Sequence, residues 1–197
     1  MSAVLNIKKM FVLMLENRSY DNLFGWSDFR GWTPAGTPTQ ADGLLGKPPF
    51  SNAGASGAVY PVGQGAPFRL AFDPGHEFTD ALVQLTAPSD SRAFATCARD
   101  DSAGLTNGAY PACAAGANDL GFARDMEAHG YDAASAMRCF TPDQLPVLTF
   151  LAQQFAVCDR WFSSVPGPTW PNRFFALAAT SWGLDHSPSE LGSIEAS

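Results

Sequence analysis

The chain has 197 residues, of which 46% are hydrophobic and 16% are charged. This length is above the usual domain size of about 100 to 150 residues and allows a buried core, which excludes a chain that is disordered throughout. The 12 Lys and Arg against 19 Asp and Glu give a net charge of -7, without a basic run. We therefore expect no nucleic-acid partner. The longest apolar run has far fewer than the roughly 20 residues of a membrane helix, so we expect no transmembrane segment.

Two apolar runs are predicted to be buried strands of an α/β protein. Met10–Leu15 is continuously apolar, which is typical of a strand covered on both faces of a parallel sheet. The two Lys before it lead to no small-residue cleavage site, so we interpret this end as a strand and not as a signal peptide. Phe155–Cys158 is the second predicted strand. Parallel sheets bind ligands at the carboxyl ends of their strands, which is where Glu16 and Asn17 would lie.

Helices are predicted where apolar spacing coincides with capping residues. Four helices are predicted at Tyr20–Phe24 between Ser19 and Gly25, at about 76–85 after the cap Asp73 and first-turn Pro74, at about 119–129 before Gly130, and at 171–180. A fifth helix, before the last of these, is capped by Asp143 or Thr141 and has Pro146 in its first turn. Its buried side carries Leu145, Leu148, Leu151 and Ala152. Asp143 is the favoured cap, because it places Pro146 in the first turn.

The segment 33–67 is rich in Gly and Pro and carries only two charged residues, Asp42 and Lys47. It is predicted to be a long excursion over the surface, without long regular elements, and to act as a mobile lid. In a second irregular stretch, Cys97 and Cys113 could pair in an oxidising compartment or remain free thiols. We expect the chain, 1–197, to form part of one domain.

Thr169 is the first residue of interest for chemistry, because it stands at the start of the last predicted helix. The unpaired N–H groups and the positive dipole end of a helix attract a phosphate, and next to a divalent cation they would stabilise an alkoxide nucleophile. The alternative is a Thr that only caps the helix. Glu16 and Asn17 offer two oxygen ligands to a cation, too few for a closed site, or else form loop hydrogen bonds.

The three histidines have different settings in the sequence. His76, near a predicted helix start, could donate to a developing phosphate charge, although a lone His is more often structural. His129 is predicted to be a favourable partner of a helix dipole. His186 lies in a polar tail with no identifiable partner. The pair Asp100–Asp101 is interpreted as a solvated turn.

Three stretches together are characteristic of a known family. They are Phe11–Gly25 (FVLMLENRSYDNLFG), Asp73–His76 (DPGH), and the segment from Leu145 to Arg173 that includes FAVCDRWFSSVPGPTWPNR. The chain resembles the bacterial phosphoesterase family that contains the non-haemolytic phospholipases C and the respiratory-burst-inhibiting acid phosphatases. The resemblance extends over nearly the whole chain.

The resemblance implies an α/β fold similar to that of alkaline phosphatases and sulfatases, with a central mixed sheet flanked by helices. It implies hydrolysis of phosphate mono- or diesters by a metal-bound Ser or Thr. On the matching motifs, Glu16 and Asn17 are metal ligands, and Thr169 is both nucleophile and metal ligand. His76 binds the phosphoryl group, and Asn172 is assigned to substrate binding, with a loop-shaping role as its alternative. The metal is a divalent cation of open identity.

The chain departs from the family in length. The remaining metal ligands of the family, an adjacent acidic pair and a later Asp-His, follow in a C-terminal half, so we expect this chain to be an N-terminal half with half a site. A non-catalytic, truncated product is therefore the alternative to an enzyme. Within the enzymes, Thr169 favours a phospholipase C over an acid phosphatase. Trp161 and Trp170 could contact a choline head group by a cation–π interaction, or serve as core or rim packing.

Overall fold

The structure is a computed structural model that describes residues 8–33, 35–86 and 120–188. The predictions for Cys97, Cys113 and Asp100–Asp101 lie outside these residues. The helices and strands are α1 Tyr20–Phe24, β1 Arg30–Trp32, β2 Pro38–Gln40, β3 Ser51–Ala53, β4 Val59–Pro61, β5 Gly63–Gln64, α2 Phe78–Thr86, α3 Phe122–Ala128, α4 Ala133–Ala136, β6 Arg138–Cys139, α5 Pro146–Gln154 and α6 Thr169–Ala178.

The architecture is mixed α/β, with small sheets among helices. Strands β1 and β2 pair antiparallel, as do β3 and β4, while β5 and β6 pair in parallel with Gly63 opposite Arg138. No strand within segment 33–67 is longer than three residues in its described part, which confirms that this segment lacks long regular elements. Its composition explains this result, because Gly and Pro weaken strand interiors.

The core forms around α3 and α4. Ala123, Met126, Ala133 and Met137 are buried together, and the rings of Phe72 and Tyr131 and other partly buried apolar side chains pack against them. Helix α2 adds Leu82, which is 4% exposed. None of the helices in the described ranges is long and apolar enough to cross a membrane.

Two predicted helix ends are confirmed in detail. The Ser19 hydroxyl oxygen accepts a hydrogen bond from Asn22 N at 3.1 Å, which caps α1, and Gly25 follows as the C-cap. Gly130 has φ +73° just after α3, a left-handed conformation that favours glycine and ends a helix. A capping hydroxyl and a glycine after the last turn act only on neighbouring residues, so these two helix ends can be predicted from the local sequence.

The two predicted strands are wrong. Residues 10–15 and 155–158 form no strand, and Phe11 is 92% exposed and Phe155 70% exposed. A parallel strand requires a hydrogen-bonded neighbour from a distant part of the chain. Among the described residues, parallel pairing is confined to β5 and β6. Apolar composition indicated burial, but it could not supply the partner strand.

Four predicted helix starts also differ from the structure. Helix α3 begins at Phe122 instead of about residue 119. Helix α2 begins at Phe78 instead of about residue 76, so Asp73 is not its cap. Helix α5 is preceded by Leu145 without a side-chain cap, although Pro146 does occupy the first turn; the Gln144 side-chain oxygen accepts from Thr141 N instead. Leu148, Leu151 and Ala152 are half-buried on α5. Helix α6 begins at Thr169, two residues before the predicted start.

Candidate active site

Thr169 is the first residue of α6, as its proposed role requires. Pro168 occupies the cap position in an extended conformation, and no side chain caps the helix. The Thr169 hydroxyl therefore does not serve as the N-cap, which was the alternative interpretation. A ten-residue helix begins here, and since Pro171 has no N–H, the N–H groups of its first turn are those of Thr169 and Trp170, at a position that favours anions.

Asn172 fixes the loop that leads to Thr169. Its side-chain oxygen accepts from Val165 N at 3.0 Å, and its amide group donates to the carbonyls of Val165, Gly167 and Pro168 at 3.0, 3.2 and 3.1 Å. Val165 is fully buried. The Asn172 side chain thus shapes the loop, in agreement with the alternative given for it, while substrate binding by Asn172 stays a prediction.

Glu16 forms a bidentate ion pair with Arg173, 157 residues away in the sequence. Arg173 Nε lies 2.7 Å from Oε1 and Nη2 lies 2.8 Å from Oε2. The hydrogen bonds and charge of Arg173 lower the pKa of Glu16, against a smaller effect of burial. Because Arg173 follows Thr169 by four residues on one helix, both lie on the same face of α6. The ion pair therefore brings the first and last motifs together.

Asn17 adopts φ +60°, in the left-handed region. Asn tolerates this region better than most residues, and such backbone strain is concentrated at functional sites. Among the described residues, no hydrogen bond joins Asn17 or His76 to the Thr169 hydroxyl. The Glu16 carboxylate is therefore bound to Arg173 of α6, whereas Asn17 makes no hydrogen bond to the Thr169 hydroxyl among the described residues.

His76 lies in the turn before α2, and its side chain is 55% exposed. Its Nδ1 is 3.0 Å from the Pro74 carbonyl. A carbonyl only accepts, so Nδ1 carries the proton and Nε2 is the nitrogen available to a ligand. The turn adjoins the Thr169 loop, because a Cβ at Gly167 would lie 3.6 Å from the Cα of Phe78 and 3.2 Å from the Asp185 carbonyl.

The two tryptophans differ in exposure. Trp161 is 65% exposed. The Trp170 ring packs against Phe174, and the Arg173 guanidinium lies 5.0 Å from its centroid. One cation–π contact of Trp170 is thus made within the chain.

A cluster that the sequence did not predict lies between α2 and α3. Asp80, Asp125 and His129 offer ligand atoms that lie within 4.8 Å of one another, and their chemistry is suited to a metal ion. His129 Nδ1 donates to the Asp125 carbonyl at 3.0 Å, and Nε2 lies 3.8 Å from Asp80 Oδ1. The spacing of Asp125 and His129 on one helix was visible in the sequence, but Asp80 requires the packing of α2 on α3.

The electrostatics of this cluster follow from its burial. Asp125 is 1% exposed, and burial raises its pKa. The hydrogen bond to the Asp125 carbonyl, followed by the charges of Asp125 and Asp80, raises the pKa of His129. His129 is the C-cap of α3, as its predicted role at a helix end requires. His186 also has a partner, because its Nδ1 lies 3.0 Å from Asp185 Oδ1.

Comparison with known proteins gives a family and several relatives. The profile of the Phosphoesterase family matches residues 7–194. Non-specific phospholipase C4 of Arabidopsis thaliana is 34% identical over 94% of this chain and 31% of its own length. Non-specific phospholipase C3 of the same plant is 35% identical over 90% of this chain and 30% of its own length. Phospholipase C B of Mycobacterium tuberculosis is 29% identical over 88% and 30%.

The chain spans about three tenths of the length of these relatives. Since they include plant proteins, the resemblance is wider than the bacterial members expected from the motifs. The family profile covers the Glu16–Asn17 motif, the His76 turn and the Thr169 helix alike. This chain belongs to the Phosphoesterase family.

Proposed function

We propose that this chain carries the nucleophile and part of the metal site of a phospholipase C-like phosphodiesterase. The observation that carries the proposal is the bidentate pair between Glu16 and Arg173, because it places the first motif on the helix that begins with Thr169. The names of the relatives favour a phospholipid substrate over a phosphate monoester. The alkaline-phosphatase-like sheet is likewise a proposal for the whole protein.

Glu16, Asn17 and Thr169 suit a divalent cation, since a carboxylate, an amide carbonyl and a hydroxyl are the oxygen ligands that hard cations take. A ligand carboxylate must be ionised, and Arg173 lowers the pKa of Glu16. Each Glu16 oxygen accepts one N–H from Arg173 and keeps a second lone pair. A cation held there would supply Lewis-acid stabilisation of the charge on the phosphoryl oxygens.

The residues of this chain have separate tasks in the proposed reaction. The first-turn N–H groups of α6 and His76 Nε2, when protonated, hold the phosphoryl oxygens. Thr169 Oγ1 gives up its proton to water and attacks phosphorus, and the bond to the glycerol oxygen breaks as that oxygen takes a proton from water. Water then hydrolyses the phospho-threonine, which restores Thr169 and releases the phosphorylated head group.

Hydrolysis of p-nitrophenyl phosphorylcholine and p-nitrophenyl phosphate tests the proposal. Because this chain holds only part of the proposed metal site, we expect the whole protein to prefer the diester, to lose turnover with a chelator, and to lose it in Thr169→Ala. Thr180→Ala is the matched control, because it removes a hydroxyl just beyond the opposite end of α6 and should leave turnover unchanged. Normal turnover in Thr169→Ala would refute the nucleophile. Absence of turnover in the unaltered whole protein would instead favour the non-catalytic alternative.

A further inference from the structure

The turn that contains His76 is hydrogen-bonded to one amide side chain of α2. Gln84, on α2, directs both of its N–H groups away from solvent. Its Nε2 lies 2.7 Å from the Gly75 carbonyl and 2.8 Å from Asp125 Oδ2. An amide nitrogen has two hydrogens, so both donors of Gln84 are used. One side chain therefore links the residue beside His76 to helix α3.

The anchor at the far end of this link is rigid. Asp125 is 1% exposed and lies on α3 next to Met126, whose side chain is fully buried in the core. The Gln84 carbonyl also accepts a hydrogen bond from Gly121 N at 3.0 Å, which fixes the backbone of α2 to the start of α3. Gln84 is therefore held at its backbone and at its amide group, and its position determines that of the Gly75 carbonyl.

Asp80 supports the same turn from its other side. Its Oδ2 accepts from Glu77 N at 3.0 Å, and a Cβ at Gly75 would lie 2.7 Å from its Cγ. The turn therefore packs so closely on the Asp80 carboxylate that a larger residue at position 75 would require this carboxylate to shift. The residues before and after His76 are both fixed by side chains of α2.

These contacts determine which nitrogen His76 presents. The His76 ring donates from Nδ1 to the carbonyl of Pro74, and the next carbonyl along the chain is the one that Gln84 holds. The Pro74 and Gly75 carbonyls belong to successive peptide units that meet at the Gly75 Cα, so a change in the backbone angles of Gly75 would move the His76 ring relative to the Pro74 carbonyl and release Nδ1. A free imidazole exchanges between its two neutral tautomers, whereas a ring held at Nδ1 keeps Nε2 open to a ligand.

We propose that Gln84 is a positioning residue that keeps the His76 Nδ1–H bonded to the Pro74 carbonyl, so that Nε2 is left for the phosphoryl group, to which it donates when it is also protonated. Gln84 acts through Gly75 and does not itself touch the substrate. The inference builds on the proposed function only for the use of Nε2; the effect of Gln84 on the His76 ring stands independently of catalysis.

Nitrogen-15 NMR of the imidazole rings at about pH 8, where neutral histidine predominates, reads the tautomer directly. The chain has only three histidines, and the spectrum of His76→Gln assigns the signal of interest. Gln84→Met keeps the approximate volume of the side chain and removes both donors. Gln40→Met is the matched control, since the Gln40 amide also donates to a carboxylate, Asp28, at 2.8 Å, but is on another element.

We expect Gln84→Met to shift the His76 nitrogens toward the mixture of tautomers of free imidazole, while the signals of His186 stay in place and Gln40→Met changes neither. Unchanged His76 nitrogens in Gln84→Met would overturn the proposal and leave Gln84 a structural residue. Gln84→Glu, which has the shape of Gln but lacks the donors when ionised, serves as the second variant. Unfolding of both variants would equally overturn a positioning role, because Gln84 would then be needed for the core.

A titration with inorganic phosphate separates this inference from the proposed function. At about pH 5.5, where imidazole is mostly protonated on both nitrogens, we expect phosphate to shift the His76 signal in the unaltered chain and to bind several-fold more weakly in Gln84→Met. A tautomer change in Gln84→Met without any response of His76 to phosphate would support the positioning of the ring and refute its proposed use. A response of equal affinity in both proteins would contradict the positioning role.

Discussion

The Arg173 guanidinium holds both carboxylate oxygens of Glu16, at 2.7 Å from Nε and 2.8 Å from Nη2. The pair is the direct link between the motif near residue 16 and the helix of Thr169. Because both side chains are more than a third exposed, solvent screens the pair. Its main effect is therefore to orient Glu16 and to keep it ionised, and its contribution to stability is small.

Arg173→Met tests this link. We expect a loss of less than about 1 kcal/mol in the free energy of unfolding, since exposed ion pairs contribute little. The pKa of Glu16 is lowered in the folded state, so the stabilisation is complete above its unfolded pKa and is lost as the pH falls through the folded value. Denaturant unfolding at several acidic pH values should show less pH dependence in Arg173→Met than in Arg69→Met, an exposed arginine replaced in the same way.

A second carboxylate, that of Glu127, should make the stability of the fold depend more clearly on pH. Glu127 accepts hydrogen bonds from Ser56 N at 2.8 Å, the Ser56 hydroxyl at 2.7 Å and the Tyr60 hydroxyl at 2.6 Å, and so attaches the β3–β4 hairpin to α3. The Tyr60 bond and then those of Ser56 lower the pKa of Glu127 from 4.5 to about 2. Its contribution is complete above pH 4.5 and declines as the pH falls toward 2.

Thermal unfolding between pH 2 and 6 measures this contribution. We expect Glu127→Gln to lower Tm at pH 6 and to flatten the acid limb of the curve, because the neutral amide does not titrate. Glu77→Gln removes the same charge from an exposed position and should keep the limb. Parallel curves for the unaltered chain and Glu127→Gln would show that Glu127 does not anchor the hairpin.

The elements that the sequence predicts correctly depend on neighbouring residues. Ser19 and Gly25 delimit α1 because a hydroxyl three residues before an N–H suffices to cap a helix. Pro146 belongs to the first turn of α5 because its missing N–H is not needed there. Thr169 could also be placed near a helix start, because Pro171 is favoured in a first turn. The predicted start was nevertheless residue 171, two residues after the observed start at Thr169.

The features that the sequence did not predict depend on distant pairing. Met10–Leu15 has the composition of a buried strand, but a strand needs a partner, and composition does not specify one. The contact between Glu16 and Arg173 and the cluster of Asp80 with His129 require helices to pack in three dimensions. The family motifs gave a role to Glu16 but none to Arg173, and no motif indicated the cluster.

For His129 we expect the free energy of unfolding to depend on pH with the opposite sign, falling as the pH rises. Its pKa is raised in the folded state by the Asp125 carbonyl and by the charges of Asp125 and Asp80. The stabilisation is therefore complete below its unfolded pKa and is lost as the pH rises through the folded value. Burial raises the pKa of Asp125, which also lowers stability with rising pH.

Urea unfolding from about pH 6 to pH 8.5 covers the range in which histidine ordinarily titrates, and comparison with His129→Gln identifies the contribution of this residue. We expect stability to fall over this interval and His129→Gln to show a smaller fall. An equal slope in both proteins would exclude His129 as the cause.

Among the core residues, we expect truncation of Met126 to lower the free energy of unfolding most. It is 0% exposed and packs with Ala123, Ala133 and Met137 between α3 and α4. Met126→Ala leaves a cavity, and we expect a loss of about 2–5 kcal/mol in the free energy of unfolding. Val147→Ala, at a 70% exposed position on α5, should change it by less than about 0.5 kcal/mol. Similar losses for both variants would refute the placement of the core at α3 and α4.

The two cysteines of the described residues should differ in reactivity. Both are free thiols, but Cys139 is buried and Cys158 is exposed. Burial, and to a lesser degree the charge of Asp21, raises the pKa of Cys139 to about 11, so at about pH 8 nearly none of it is the reactive thiolate. We expect iodoacetamide to modify Cys158 rapidly and Cys139 only after unfolding, as followed by peptide mass spectrometry. The same reaction in urea is the control, because both thiols should then react at similar rates. Rapid modification of Cys139 in the folded chain would show that the pairing of β5 with β6 opens readily, since Cys139 lies opposite Gln64 in that pair.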